Sequence, residues 1–164
     1  CIQAGRRLAL DIHDEVLRAA APGVEARVGS CTNLGFLNTS AVDVVFASNL
    51  LEHLDLPDVL ATVGEVRRVL KPGGTLLLLQ PNFRFAYREY FDDYTHRTVF
   101  TDRSLPDLLT ACGFAIARVE PRFLPFSLKS GLPAHPWLVT AYLRSPWRPR
   151  AAQMLVVAHK RMET

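Results

Sequence analysis

Short apolar segments, separated by polar or glycine-containing stretches, recur along the first half of the chain. The pattern predicts four strands, at Arg7–Asp11, Val24–Val28, Val42–Ala47 and Thr75–Leu79. The third is rich in β-branched residues and shows no polar alternation, which is typical of a strand buried on both faces of a parallel sheet.

A helical pattern occupies the stretches between these strands. Apolar residues recur every three or four positions across Asp55–Leu70, and Asp55 or Asp58 can cap that helix. A shorter helix is predicted for Asp14–Ala20. Alternation of strands and helices with short turns predicts an α/β domain with a mainly parallel sheet.

The second half of the chain is less regular. A helix is predicted for Ser104–Ala111, and two further strands are predicted for Phe114–Arg122 and Ala152–Ala158. We interpret residues 85–103 and 124–150 as segments that cover the substrate side, since long inserts in a compact domain are usually functional. The proline-rich second segment contains one predicted helix at Trp137–Arg144.

Composition excludes several classes of protein. A length of 164 residues with 49% hydrophobic residues suits one domain with its own core. A net charge of +3 is too small to indicate a nucleic-acid partner, and no apolar run approaches the ~20 residues of a membrane span. The three cysteines, Cys1, Cys31 and Cys112, lack CxxC spacing and are typical of reduced thiols in a cytoplasmic protein.

Polar residues follow the predicted strands at the positions where ligands bind in open α/β sheets. These positions are Asp11-Ile12, Gly29-Ser30-Cys31, Ser48-Asn49 and Gln80-Pro81-Asn82. A carboxylate at a strand end can accept hydrogen bonds from both hydroxyls of a ribose. Asp11 can equally cap the helix that begins near His13, so both roles stay open.

Candidate catalytic groups lie in and before the aromatic segment that follows Asn82. Asp93 and His96 are three residues apart, and a carboxylate beside an imidazole produces a general base. His53 is a second candidate, and a surface Asp–His pair and a partly buried histidine are the structural alternatives. Asn82, Arg84 and Tyr90 are the expected acceptor contacts, the arginine for an anion and the tyrosine ring for stacking.

No metal ligands are predicted from the spacing of these residues. The histidines and cysteines show neither the HxxxH nor the CxxC spacing that a metal site on one element needs. Aromatic and basic residues around Trp137 and Trp147 are interrupted by prolines. That segment is interpreted as a substrate-side cover or an oligomer contact rather than an RNA or membrane surface.

Three parts of the sequence resemble the class I S-adenosylmethionine-dependent methyltransferases. They are Asp11, the run VDVVFASNLLEHL from Val42 to Leu54, and EVRRVLKPGGTL from Glu65 to Leu76. The resemblance covers about residues 5–122. It implies a Rossmann-like three-layer sandwich of α/β class with strand order 3-2-1-4-5-7-6, mainly parallel but with an antiparallel last strand.

The resemblance also implies site roles. Asp11 would hold the cofactor ribose, and Ser30 and Cys31 would lie beside adenine, with Ser30 in place of the usual acid. Ser48 and Asn49 would line the methionine moiety, while Glu52 and His53 would face the substrate. The positions expected to bind the cofactor, S-adenosylmethionine, are Asp11, Ile12, Ser30, Cys31, Ser48 and Asn49.

One expected motif is absent from the 164 residues. The GxGxG loop that follows the first strand of this family does not occur among the nine glycines. We expect the sheet to lack its first strand, between Arg7–Asp11 and Val42–Ala47, so a preceding sequence or a partner segment would supply it. Cys1–Gly5 reads as the last turn of a helix and agrees with a preceding sequence. We therefore expect residues 1–164 alone to bind S-adenosylmethionine weakly.

The functional prediction is methyl transfer to oxygen or nitrogen of a small-molecule acceptor, with His53, His96 and Asp93 as the catalytic candidates. The alternative is a methyltransferase-fold module without turnover, favoured by the absent glycine loop and by Ser30. A nicotinamide-dependent dehydrogenase is disfavoured, because the Leu-Glu-His and Lys-Pro-Gly-Gly runs have no role there.

Overall fold

The computed structural model describes residues 4–125, 136–145, 148 and 150–162. Within these ranges strands and helices alternate along the first part of the chain. The strands are β1 (Leu8–Asp11), β2 (Glu25–Val28), β3 (Val42–Ser48), β4 (Leu70–Pro81), β5 (Phe114–Pro125) and β6 (Ala151–Lys160). The helices are α1 (Asp14–Leu17), α2 (Leu56–Val69), α3 (Phe83–Ala86), α4 (Ser104–Ala111) and α5 (Pro136–Arg144).

The strands form two groups whose order agrees with the predicted fold class. β1 pairs with β2 in parallel, and a separate sheet has the order β3-β4-β6-β5. β3 and β4 are parallel, whereas β6 is antiparallel to both β4 and β5. The prediction of a mainly parallel α/β sheet with an antiparallel last strand is confirmed. Among the described residues β1 and β3 share no ladder, and the predicted position of the first strand lies between them.

Helix α2 forms as its sequence pattern predicts. The Asp55 carboxylate accepts a hydrogen bond from the Asp58 backbone N–H at 3.0 Å and caps the helix. Val59, Val63 and Val66 are buried in the core, which also contains Leu76 and Leu78 of β4. Burying each of these apolar side chains contributes about 1.5–3 kcal/mol.

Two predicted elements differ in extent from the observed ones. Helix α1 ends at Leu17 rather than Ala20, because the bonds from Ala19 and Ala20 reach back only three residues and tighten the last turn. The Lys71–Gly74 turn is a bulge inside β4, where the pairing shifts between Leu70 and Thr75. The predicted helical turn at Cys1–Gln3, and residues 126–135, 146, 147 and 149 of the predicted cover segment, lie outside the described residues.

A glycine after α4 gives a first testable prediction. Gly113 has a φ of +89°, and a Cβ there would lie 2.7 Å from Nε of Arg67. We expect Gly113→Ala to lower the free energy of unfolding by about 1–2 kcal/mol, the cost of a left-handed conformation for an L-residue. Urea denaturation measures it. Gly64→Ala is the matched control, because Gly64 lies in α2 with no atom within 4 Å of its Cβ position. A loss no larger than that of the control would contradict the prediction.

Candidate active site

Asp11 is the last residue of strand β1, and its two carboxylate oxygens differ in their hydrogen bonding. Its Oδ1 accepts the backbone N–H of His13 at 2.8 Å, which closes an Asx turn just before α1. The N-cap residue of α1 is His13 and no side chain among the described residues caps that helix, so the cap role considered for Asp11 is wrong. Oδ2 accepts no hydrogen bond from the described part of the chain, so the turn leaves one carboxylate oxygen for a ligand. Ile12 next to it presents an exposed apolar side chain.

Hydrogen bonds hold the loop after β2 in place at several points. The Gly29 N–H donates to the Asp11 carbonyl at 2.9 Å, and the hydroxyls of Ser30 and Thr32 lie 2.7 Å apart. Cys31 Sγ accepts from Thr62 Oγ1 of α2 at 3.4 Å. The loop is thus held against the end of β1, as a ligand-binding loop at a sheet edge requires.

An ion pair of α2 holds the next part of that loop. The Glu65 carboxylate accepts the Leu34 N–H at 2.6 Å, and Arg68 Nη2 donates to the Leu34 carbonyl at 2.9 Å. The Arg68 guanidinium, 2.7 Å from Glu65 Oε1, keeps the pKa of this carboxyl below its usual value. The predicted adenine-side residues are in this way tied to the main helix.

Strand β3 ends in a locally strained turn. Asn49 has a φ of +48°, in the left-handed region that asparagine tolerates better than most residues. Its N–H donates to the Leu79 carbonyl at 2.9 Å, and its Oδ1 accepts from Gln153 Nε2 at 3.0 Å. Ser48 and Asn49 are both exposed. The strain marks this strand end as a candidate functional position.

A short 3₁₀ helix, Leu51–His53, follows at once and binds the aromatic segment. The Glu52 carbonyl accepts the N–H groups of Arg97 at 2.7 Å and Thr98 at 3.2 Å. Thr98 Oγ1 donates to the Leu54 carbonyl at 2.6 Å. These bonds bring residues distant in sequence to one place beyond the end of β3.

Two histidines, His53 and His96, pack together there, with their ring centroids 4.9 Å apart. The hydrogen bonds of each ring define its tautomer. His96 Nδ1 lies 2.6 Å from the Tyr90 carbonyl oxygen, so it must donate its proton. Thr95 Oγ1 donates to Asp93 Oδ1 at 2.5 Å and therefore accepts from His53 Nδ1 at 2.9 Å. In the neutral form of each ring Nε2 then carries the lone pair.

Asp93 does not form the hydrogen-bonded pair with His96 that its spacing predicts. Its Oδ2 lies 4.0 Å from His96 Nε2, beyond hydrogen-bond distance. The same carboxylate reaches His53 through the Thr95 hydroxyl. Hydrogen bonds from Thr95 lower the pKa of Asp93 and keep it ionised.

Glu52 is the residue at this place that sequence reasoning left without a catalytic or binding role. Its side chain is buried, with Oε1 4.0 Å from His53 Nε2, and its Oε2 has no hydrogen-bond partner among the described residues. Burial raises the pKa of Glu52 to about 7. Burial also lowers the pKa of His53, and the neighbouring His96 adds to that effect. The Leu-Glu-His run was the available signal for Glu52.

The residues expected to contact the acceptor are engaged within the protein. Asn82 is fully buried and donates to Asp102 Oδ1 and to the Pro121 carbonyl, each at 3.0 Å. Arg84 pairs with Asp102 at 3.2 Å. Tyr90 is fully buried, and its hydroxyl donates to the Thr98 carbonyl at 2.6 Å. In this arrangement Asn82 and Tyr90 support the site from within.

Comparison with known proteins agrees with this architecture. Residues 3–78 match the profile of a family described as "Methyltransferase domain". A chain from the complex of the Trm112 methyltransferase activator with a methyltransferase of Haloferax volcanii superposes with a TM-score of 0.71 and 17% identity. That superposition covers 98% of this chain and 73% of the other. The chain has the class I methyltransferase fold.

Further relatives of this methyltransferase-fold chain support the same assignment. An S-adenosylmethionine-dependent methyltransferase of Methanosarcina mazei gives a TM-score of 0.69 at 21% identity, covering 95% of this chain and 82% of that one. An uncharacterized protein of Mycobacterium tuberculosis is 37% identical over 79 residues, which are 48% of this chain. The matched part is 26% of that relative, so the chain spans about a quarter of its length.

The match of residues 3–78 to the methyltransferase-domain profile implies S-adenosylmethionine as the cofactor. The residues present fit it in two respects. Asp11 offers a carboxylate oxygen without a partner in the described structure, and the exposed Ile12 offers an apolar surface for a ring. Ser30 has already bonded its hydroxyl to Thr32, so its side chain adds less than an acid would. No helix in the described part of the chain is both long and apolar enough to span a bilayer.

The buried Tyr90 gives a second testable prediction. Tyr90→Phe keeps the ring but leaves the carbonyl of the half-buried Thr98 without this donor, so we expect a loss of about 1–3 kcal/mol in the free energy of unfolding. Tyr94→Phe is the matched control, since Tyr94 is 93% exposed and should change stability by less than ~0.5 kcal/mol. Urea denaturation compares the two, and equal stability of both variants would refute the role of this bond.

Proposed function

We propose that this methyltransferase domain transfers the methyl group of S-adenosylmethionine to oxygen or nitrogen of a small-molecule acceptor. The observation that carries the proposal is the cluster of Glu52, His53 and His96 directly beyond Ser48 and Asn49. The latter two are the positions at which the family resemblance places the methionine end of the cofactor. Acid–base groups therefore lie next to the place where a methyl group would be presented.

Some residues of the chain would bind the cofactor, and others would remove a proton from the acceptor. Asp11 would hold the ribose, and the Ser48-Asn49 turn would line the methionine moiety. When bound, S-adenosylmethionine supplies an activated methyl group. The protein then has to align the acceptor with that group and exclude water, which is where most of the catalytic effect arises.

Among the cluster residues, His53 is the candidate that an acceptor can contact most readily. Its side chain is 35% exposed, whereas that of His96 is 6% exposed. The lone pair on Nε2 of His53 can accept the proton of a hydroxyl or an ammonium group. Asp93, acting through Thr95, holds the required tautomer and stabilises the charged imidazole. His96 packs behind His53 and limits its orientation.

Exposed aromatic side chains on the segment that also contains His96 favour an acceptor that contains a ring. Phe85, Tyr87, Phe91 and Tyr94 all expose large aromatic side chains. Aromatic faces of this kind bind sugars and aromatic rings by stacking. Because Arg84 is paired with Asp102, an anionic acceptor is less favoured by this surface.

The experiment is a screen of sugars, phenols and small carboxylates with the intact gene product. Release of S-adenosylhomocysteine is the readout. Turnover with a sugar or phenol supports the proposal. A methyltransferase-fold binding module is the second candidate, favoured by the separate β1-β2 sheet and by Ser30. Tight cofactor binding without release from any acceptor would favour it.

A further inference from the structure

We propose that Glu52, His53 and His96 form a binding site for a divalent transition-metal ion of the zinc type. One ligand atom from each of these residues lies within 4.8 Å of the other two. Two imidazoles and a carboxylate are a common ligand set for zinc in catalytic sites. The spacing rules applied to the sequence could not find this set, because two segments far apart in the chain supply it.

The tautomers of both histidines suit metal binding. His96 donates its Nδ1 proton to the Tyr90 carbonyl, and His53 donates its own to Thr95, which is bonded in turn to Asp93. Histidines that bind metals usually make such a bond with the second ring nitrogen, to a carbonyl or towards a carboxylate. A cation would therefore bind each ring through Nε2.

The buried carboxylate of Glu52 is the second, independent observation. Glu52 is 1% exposed, and its Oε2 has no hydrogen-bond partner in the described part of the structure. Burying an ionised carboxylate is costly unless the charge is paired or coordinates a metal. A divalent cation between Glu52 and the two imidazoles would supply that pairing.

The cluster has to contract to bind zinc. Two ligands of a tetrahedral zinc ion lie about 3.3 Å apart, given bonds of about 2.0–2.1 Å. Binding would therefore require side-chain rotations of Glu52 and His53 that close the present separation of up to 4.8 Å. Three protein ligands leave a fourth position, where a water molecule or an acceptor hydroxyl could bind.

This inference deepens the proposed function and rests on it for what the cation would do. A metal ion lowers the pKa of a coordinated hydroxyl, whose proton then passes to solvent. With the cation bound, the acceptor oxygen would be activated by the metal, and His53 and His96 would be its ligands. In the metal-free protein His53 would act as the base described above. The metal site itself is tested without cofactor or acceptor.

The test is a titration of the metal-free intact gene product with Zn²⁺ in competition with a chromophoric chelator. We expect one equivalent to bind the wild type, and that equivalent to be lost in Glu52→Gln and His53→Ala. His159→Ala is the control, because His159 is an exposed residue of β6 that hydrogen-bonds to Thr75 of β4 rather than to the cluster. It should bind like the wild type. Thermal melting without metal verifies that each variant folds.

A variant outside the ligand set sharpens the test. Thr95→Val removes the acceptor of the His53 N–H, so we expect about 10–100-fold weaker Zn²⁺ binding, as for other groups that orient metal ligands. Thr95→Ser keeps the hydroxyl and should restore the affinity. A merely structural cluster would show no such difference between the two variants.

Three results would overturn the metal site. They are no stoichiometric Zn²⁺ binding by the wild type, equal binding by Glu52→Gln and His53→Ala, or a thiolate charge-transfer band with Co²⁺ that places the ion on cysteines. Because the titration contains no cofactor or acceptor, its failure leaves the proposed methyl transfer intact. Absence of S-adenosylhomocysteine release from a zinc-loaded protein would instead refute the proposed function alone.

Discussion

His53→Ala and His96→Ala are each expected to lower turnover about 10²–10⁴-fold while leaving the affinity for S-adenosylmethionine unchanged. Both rings lie beyond Asn49, near the place proposed for the acceptor. Loss of His53 removes the proposed base, and loss of His96 removes the ring that packs behind it and limits its orientation. If a cation is bound, each variant loses one of its ligands. Release of S-adenosylhomocysteine at saturating acceptor gives turnover, and calorimetry gives the cofactor affinity.

His159→Ala is the matched control for both histidine variants. The residue is exposed and lies on β6 beside Thr75, at the end of the β4–β6 pairing opposite to Pro81, so turnover should stay at the wild-type level. Wild-type turnover in both His53→Ala and His96→Ala would remove the cluster from the mechanism. Alignment of acceptor and methyl group would then be the only catalytic device.

Replacing Asp11 should weaken cofactor binding by about 1.5–3 kcal/mol, the range for hydrogen bonds to a charged group. Asp11→Asn is the informative variant, because its side-chain oxygen can still accept the His13 N–H while the charge is lost. Asp11→Ala loses both. Calorimetry on the intact gene product measures affinity, and thermal melting measures stability.

The two Asp11 variants separate a ribose ligand from a residue that only closes the turn before α1. Weaker cofactor binding in both variants, with a normal melting temperature for Asp11→Asn, supports the ribose role. Unchanged affinity in both, with a lower melting temperature for Asp11→Ala alone, would show that Asp11 only holds the turn with His13.

The fold could be predicted because local signals and tertiary packing agree. The β-branched run predicts the strand β3, and α2 is capped by Asp55 as predicted. The prediction that β3 is buried on both faces is wrong, because β3 is an edge strand of the described sheet whose Val44 and Phe46 are 51% and 61% exposed. Where the two disagree, the prediction was less accurate. Lys71–Gly74 has the composition of a turn, yet pairing of Leu70 with Val42 draws it into β4 as a bulge.

The site could be predicted only in part, because its geometry depends on contacts between distant segments. Strand ends and the Leu-Glu-His run can be found in the sequence. The approach of His53 to His96 depends on backbone bonds from Arg97 and Thr98 to Glu52, which no spacing rule contains. Tyr90 is similar, since only the fold shows that its ring is buried.

The most direct test of the account is release of S-adenosylhomocysteine by the intact gene product with a panel of sugars, phenols and small carboxylates. We expect release of S-adenosylhomocysteine that depends on the acceptor, is greatest for a sugar or phenol, and is lost in His53→Ala. Tight binding of S-adenosylmethionine without release from any acceptor would contradict it.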